Sequence, residues 1–241
     1  MNTGLTDVAG PRIHTQQLVG LPLIHVATPR FTRAKKIVKR IIDVTGALAA
    51  LIILFPVMLV LGILVKAHDG GPAFFAQERV GIDGTRFRML KFRSMYTDAE
   101  ERKAALMAAN ESQGDVLFKM KDDPRVTAPG KWMRRFSLDE LPQFINVLQG
   151  RMSLVGPRPH AVAHNEQYRK LIKGYMLRHK VRPGITGWAQ VNGLRGETAT
   201  LDKMEARIAY DLDYLRNWSL WLDLWIILKT VKVVLTRENA F

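Results

Sequence analysis

Hydrophobic positions in this chain fall into one long uninterrupted block and a series of short periodic stretches. Between Val44 and Val65 there is no charged residue, a run of about 22 positions that would extend about 33 Å as a helix, enough to cross the hydrocarbon of a bilayer. Pro56 stands in the middle of the run. Its missing N–H and its ring predict a bend near Phe55 and Pro56. Downstream, Gly70-Gly71-Pro72 is a turn and Ala73 to Gln77 reads as a short strand. Arg86 to Arg93 alternates apolar and basic positions, predicting a strand with one cationic face. Residues 97–110 predict a polar surface helix and residues 115–127 a loop. Helical patterns return over 138–148, through a first-turn Pro142, and again over 164–177 and 201–216. The last stretch, Trp218 to Leu235, sets Trp218, Trp221 and Trp225 three and four apart on one face, with Lys229, Lys232 and Arg237 towards its end. That pattern predicts a helix lying in the membrane plane, with core packing as the alternative.

The 241 residues suffice for one domain with an appendage. Residues 1–34 read as an N-terminal tail or loose hairpin and 35–67 as a membrane helix. Residues 68–241 form a small domain with short strands and interfacial amphipathic helices, an α+β fold that is mostly helical. A net charge of +14 calls for an anionic partner: nucleic acid, anionic lipid or a phosphorylated substrate. The absence of cysteine excludes disulfides and thiolate chemistry. Six histidines include no HExxH pair, and no P-loop, GxGxxG or GxSxG motif occurs. The hydrophobic block admits two geometries. A through-span would place its basic N-terminal flank and the following domain on opposite sides. A bent, re-entrant helix would return both flanks to one side, and basic residues at both ends favour it. Asp43, near its start, is expected to snorkel or to pair with Arg40 or Lys39.

The candidate chemistry lies in Ser137-Leu138-Asp139-Glu140-Leu141-Pro142-Gln143, preceded by Arg134-Arg135 and followed by the Gly156-Pro157-Arg158-Pro159 loop. Ser137 and Glu140 have the spacing of a capping box, which predicts a helix start with free N–H groups beside two carboxylates. With arginines on either side, this suits a bound phosphate and a carboxylate acting as nucleophile or metal ligand. A plain capped helix is the alternative. The glycine-rich stretch Arg182 to Gly193 is a candidate base- or sugar-contacting loop. A non-catalytic peripheral protein binding anionic lipid would explain the charge and the apolar block but not Asp139-Glu140 between arginines. A nucleic-acid binder would explain only the charge.

With these residues placed, the chain resembles the monotopic phosphoglycosyl transferases of the bacterial sugar transferase family. The resemblance runs from about Lys39 to Leu235. It is carried by Lys39-Arg40 through Asp43, the proline-interrupted block, Gln77-Glu78-Arg79-Val80-Gly81, Lys91 to Met95, Asp123 to Thr127, Ser137 to Gln143, Ser153 to Pro159 and Arg182 to Trp188. It implies a monotopic protein with a proline-broken re-entrant helix (Pro56) at the cytoplasmic face of the bacterial inner membrane. The implied activity moves a sugar-1-phosphate, glucose-1-phosphate in the type it matches best, from a UDP-sugar to undecaprenyl phosphate, starting polysaccharide assembly. Asp139 is then the nucleophile and Glu140 its magnesium-binding neighbour, so Mg²⁺ is the expected cofactor. Lys91 is an active-site lysine, and Arg134, Arg158 and Arg93 hold phosphate. Pro183, Gly184, Thr186, Gly187 and Trp188 form the nucleotide-sugar loop. Partners are the UDP-sugar, the lipid phosphate and inner-membrane lipid, not nucleic acid, with a homodimer left open. Residues 5–28 resemble the end of a nucleotide-binding-like domain that precedes the catalytic part in larger members.

Overall fold

The computed structural model describes residues 13–18, 21–26, 33–106, 123–194 and 200–236, and the chain divides after Lys39 into two compact units. The first carries an antiparallel hairpin of β1 (Ile13–Leu18) and β2 (Leu21–Val26), in which Ile13 faces Val26 and Leu18 faces Leu21.

The uncharged block lies in helix α1 (Arg33–Asp69), which continues through Pro56 without being divided there. One missing N–H removes one rung of the ladder and leaves the others in place. Within residues 40–69, Asp43, Ala47, Leu61 and Val65 are buried, and Leu51, Leu54 and Met58 between them are half-buried. These seven positions recur at intervals of three and four, a single inward stripe along the helix. The other side is apolar and exposed, including Ile53 at 73% and Ile52 at 68%.

The rest of the second unit is built from short elements. Strands β3 (Phe74–Val80) and β4 (Arg86–Phe92) form an antiparallel hairpin. Helix α2 (Ala99–Leu106) lies within the predicted 97–110 helix, whose last residues fall outside the described ones. Helix α3 (Ala128–Arg135) is capped by Thr127, whose hydroxyl accepts from Gly130 N at 3.0 Å. One 3₁₀ turn (Leu138–Glu140) leads into α4 (Gln143–Leu148). Strand β5 (Ser153–Val155) pairs in parallel with β6 (Gly184–Thr186), across α5 (Val162–Leu171) and a 3₁₀ segment (Tyr175–Lys180). Helices α6 (Leu201–Asn217) and α7 (Leu220–Thr236) close the chain.

Two anchors join α1 to this body. Arg40 donates to the Val147 and Leu148 carbonyls at 2.6 and 2.8 Å, adding a charged donor at the end of α4, where Val147 O also accepts from Gly150 N at 2.9 Å. Asp43 accepts from Ser153 Oγ at 2.9 Å and Leu154 N at 3.0 Å. The expected snorkelling of Asp43, or its pairing with Arg40, is therefore corrected: a buried backbone N–H and a hydroxyl need the acceptor, and Arg40 is used elsewhere. At the far end, Met58, Leu61 and Val65 pack with Phe92 and Met133 and against Leu138 and Leu141. The tryptophan face is also corrected. Trp218 precedes α7 and its indole donates to Asp223 at 3.1 Å, while Trp221 and Trp225 stay exposed.

Asp43→Ala should lower stability by about 1–3 kcal/mol, the cost of leaving the Leu154 N–H buried without an acceptor. Asp43→Asn, which keeps an acceptor oxygen, should lose less. Thermal unfolding in detergent tests this; equal melting of the alanine variant and the wild type would contradict the anchor.

Candidate active site

Lys91 sits near the end of β4, where strict alternation gives way. Phe87 and Met89 point inward, Leu90 and Lys91 are both half-buried, and Phe92 is buried again. Asn146 of α4 fixes this strand, accepting from Leu90 N at 2.8 Å and donating to Arg88 O at 2.9 Å. Lys91 Nζ thereby reaches Glu140 Oε1 at 2.8 Å and Asp139 Oδ2 at 3.7 Å. Arg158 forks onto the same Glu140. Its Nη1 meets Oε2 at 3.1 Å and its Nη2 meets Oε1 in a shorter contact. Glu140 thus binds a strand cation and a loop cation at once.

The capping box is not formed. Ser137 is left-handed at φ 54°, a strained conformation for a residue with a side chain, and makes no capping hydrogen bond. Glu140 takes two charge-assisted partners in place of a backbone N–H. The phosphate-attracting feature is consequently a set of side-chain cations and not a helix N-terminus, since only a single 3₁₀ turn begins here.

The two adjacent carboxylates differ electrostatically. Burial raises the Asp139 pKa above its ordinary value, Lys91 pulls against this, and Glu140 adds to it. Burial works the same way on Glu140, but Arg158 and then Lys91 outweigh it and hold that carboxyl far below the usual range. Arg134 lies close enough to Asp139 to act on its charge and donates Nε–H to Ser94 Oγ at 2.8 Å.

Other expected site residues make contacts of their own. Arg93 is buried and pairs with Asp69 at the end of α1. Gly184 and Thr186 brace the Arg158 loop. Gly156 N donates to Thr186 O at 2.9 Å and Gly184 N to Pro157 O at 3.0 Å. A Cβ on Gly184 or on Gly187 would strike the Gly156 backbone. Trp188 donates its indole N–H to Asp213 at 3.0 Å. Of the five proposed loop residues, Pro183 lines a cleft shared with Arg158. The described contacts give the other four a supporting position.

A buried network behind Arg158 escaped the sequence reading. Arg178 donates to Asp211 Oδ2 from Nε at 3.0 Å and from Nη2 at 2.6 Å, and Nη2 also donates to the Arg158 carbonyl at 2.7 Å. The signal was present on α6, where Arg207 and Asp211 fall on the stripe of Met204, Ile208 and Leu215. Charges on a buried stripe require partners.

Among the described residues no group of three or more histidine or acidic side chains gathers as a metal site. A magnesium ion usually takes one or two carboxylates and completes its shell with water and substrate phosphate. Asp139, whose ionic contact is the long one to Lys91, fits that requirement. Glu140 has its oxygens directed at cations, which leaves Oε2 as its freer atom.

Opposite pH dependences follow. Asp139 binds more protons folded than unfolded, so its contribution to stability declines as pH rises from about 3.8 through its folded value. Glu140 binds fewer, so its contribution is full above about 4.5 and is lost as pH falls through its folded value. Asp139→Asn should melt no lower than wild type near neutral pH. Glu140→Gln should lose about 2–3 kcal/mol, since it strands two partly screened cations. Melting curves from mildly acid to neutral pH test the pair, and equal destabilisation by both changes would refute the division.

A model of the bacterial sugar transferase family matches residues 34–237. The UDP-glucose:undecaprenyl-phosphate glucose-1-phosphate transferase of Escherichia coli (strain K12) is 49% identical over 94% of this chain and 46% of its own length. The protein of the same name from Klebsiella pneumoniae is 50% identical over 94% of this chain and 46% of its own length. That from Caulobacter vibrioides is 45% identical over 84% of this chain and 72% of its own. The chain therefore spans about half the length of the first two relatives. On the match over residues 34–237, the chain belongs to the bacterial sugar transferase family.

Proposed function

We propose that the chain transfers a sugar-1-phosphate, with glucose the first choice, from a UDP-sugar to undecaprenyl phosphate with release of UMP. The observation that carries this reading is an Asp139 set between Lys91 and Arg134, beside a Glu140 that fastens Arg158 into the same site. The names of the relatives supply the substrates.

An Asp139 carboxylate oxygen attacks the β-phosphorus of the donor. A bond forms from that oxygen to phosphorus, and the bond to the bridging oxygen breaks, its electron pair leaving with UMP. The lipid phosphate oxygen then attacks the same phosphorus and restores the carboxylate. Attack by one anion on another is electrostatically poor, so Arg158, Arg134 and Lys91 do the essential work of neutralising the diphosphate. Raised by burial, Asp139 is the more basic of the two carboxylates, which suits a nucleophile. Glu140 holds Lys91 and Arg158 in place. Mg²⁺, if bound, would be held by Asp139 and then by Glu140 Oε2, adding charge neutralisation at the diphosphate.

Membrane association follows from α1 and from the family. Monotopic re-entry is the geometry we favour. Arg40 and Asp43 at one end, and Leu61, Val65 and Asp69 at the other, all contact one polar body. A straight crossing would separate those ends by the full hydrocarbon thickness, about 30 Å. Re-entry keeps both at one face, where we place the inner membrane's cytoplasmic surface, on the same side as the soluble donor.

A screen of UDP-sugars with undecaprenyl phosphate should give UMP release, fastest with UDP-glucose, and ping-pong kinetics. Asp139→Asn should lower turnover by about a thousandfold or more and abolish trapping of labelled phosphosugar on the protein. Continued accumulation of the adduct in that variant would dismiss Asp139 as the nucleophile. Because the chain has no cysteine, Lys36→Cys and Glu100→Cys can be labelled without background in sealed vesicles. Re-entry predicts labelling of both from the same side, and opposite sides would establish a through-span.

A further inference from the structure

Beside Arg158 lies a cluster whose cations outnumber its anions. Arg79 comes from the end of β3, bridges Ala161 across an isolated antiparallel pair, and is followed by Val80, whose N–H donates to the His160 carbonyl at 3.2 Å. Arg79 Nη2 donates to Gln77 Oε1 at 2.6 Å, but its Nε is buried and no acceptor from the described residues reaches it. His160 is 5% exposed, and its Nδ1 contacts the Tyr175 hydroxyl at 2.6 Å and Arg178 Nη1 at 2.8 Å. A guanidinium only donates, so Nδ1 is the acceptor and the ring proton belongs on Nε2. That Nε2 is likewise buried without an acceptor among the described residues.

Within this cluster Arg79, Arg158, Arg178 and Arg207 face three carboxylates, Glu140, Asp139 and Asp211. Burial and then the Arg158 charge push Arg79 down to about 10, which places the two guanidinia within reach of each other. Burial, then Arg178, and further Arg207 and Arg79 keep His160 neutral. A desolvated guanidinium with an unused N–H is costly, and an oxyanion offsets that cost with charge-assisted bonds. The planar edge of arginine matches two phosphate oxygens. Arg158 and Arg178 also line a small, partly open cleft, with Val80, Gly81 and Pro157 among its walls. Val80 and Pro159, the chain neighbours of Arg79 and His160, are among the residues that line it.

We propose that Arg79, backed by the His160 Nε2–H, is a second phosphate-binding position beside Arg158, and that it holds the phosphate monoester that departs with the nucleoside. This rests on the transferase reading and assigns Arg158 and Arg79 to the two phosphates of one diphosphate. The chemistry, a phosphate monoester against an arginine edge, is shared by UMP and by the lipid phosphate, so the test must separate them.

Calorimetric titration of the full chain in detergent with UMP, and separately with inorganic phosphate, does so. Arg79→Gln should weaken both by roughly tenfold or more. Arg79→Lys, which keeps the charge without the fork, should weaken both by less, and it serves as the test if Arg79→Gln does not fold. KM for undecaprenyl phosphate should stay within about twofold of wild type. UMP affinity unchanged in a folded Arg79→Gln protein would overturn the proposal. So would an effect confined to the lipid KM, which would hand the position to the acceptor. If wild type binds UMP through Arg79 yet releases none from any UDP-sugar, the binding position stands and the transferase reading falls.

Discussion

The site depends on one carboxylate being shared by two cations from distant parts of the chain. Glu140 holds Lys91 of β4 and Arg158 of the Pro157–Pro159 loop. As a source of stability such a group is ambiguous, because desolvating three charges offsets much of their attraction. As a constraint it is strong. Both cations converge on one point, and neither can leave without stranding Glu140 in a largely dry environment. Asp139 bears the consequence. With the cations turned mainly towards its neighbour, it is buried with less compensation, and its charged form is disfavoured. Environment thus sets adjacent carboxylates on opposite courses, one fixed as an anion and the other kept basic.

The arrangement is transmitted to the membrane helix through ordinary packing. Leu138 and Leu141 bracket Asp139 and Glu140, and they pack against the group that includes Met58, Leu61 and Val65 of α1. A displacement of α1 would therefore move the turn that carries both carboxylates. At the other end, Arg40 and Asp43 hold α4 and β5, the elements before the Arg158 loop. One helix thus braces the carboxylate side and the arginine side of the site. Its exposed face is free to meet lipid because these anchors use only the inward stripe.

Much of this was legible from residue order. The uncharged run, the two strands around Gly81–Gly84, and the clustering of Asp139, Glu140 and Arg158 follow from hydropathy, alternation and charge. The capping box failed because a short-range pattern cannot reveal that Lys91 and Arg158 arrive to compete for Glu140. The pairing of Arg93 with Asp69 was hidden for a related reason. By strict alternation Arg93 would share the Lys91 face, but it lies past the end of β4, which loses its alternation at Leu90, and its side chain goes to Asp69. The glycine-rich loop was legible as a loop but not as a brace, since its close approach to Gly156 is a tertiary fact. Asp43 misled because an acid at the edge of an apolar run suggests an interface, whereas a buried backbone N–H supplied its partner.

The excess of positive charge has a physical logic that extends beyond the residues around Asp139. Under the proposed reaction the donor, the acceptor and the surrounding lipid surface are all anionic, so a neutral site would desolvate its substrates without return. A protein of net charge +14 lowers the energy of approach for each of them, an effect that salt screens over about 10 Å. Near Asp139 the requirement is more local. The cations must be dense enough to neutralise a diphosphate, yet none may pair so tightly with the nucleophile that it loses basicity. Giving the tight pairing to Glu140 meets both demands at once, and the 3.7 Å separation of Lys91 from Asp139, against 2.8 Å from Glu140, is the geometric expression of that division.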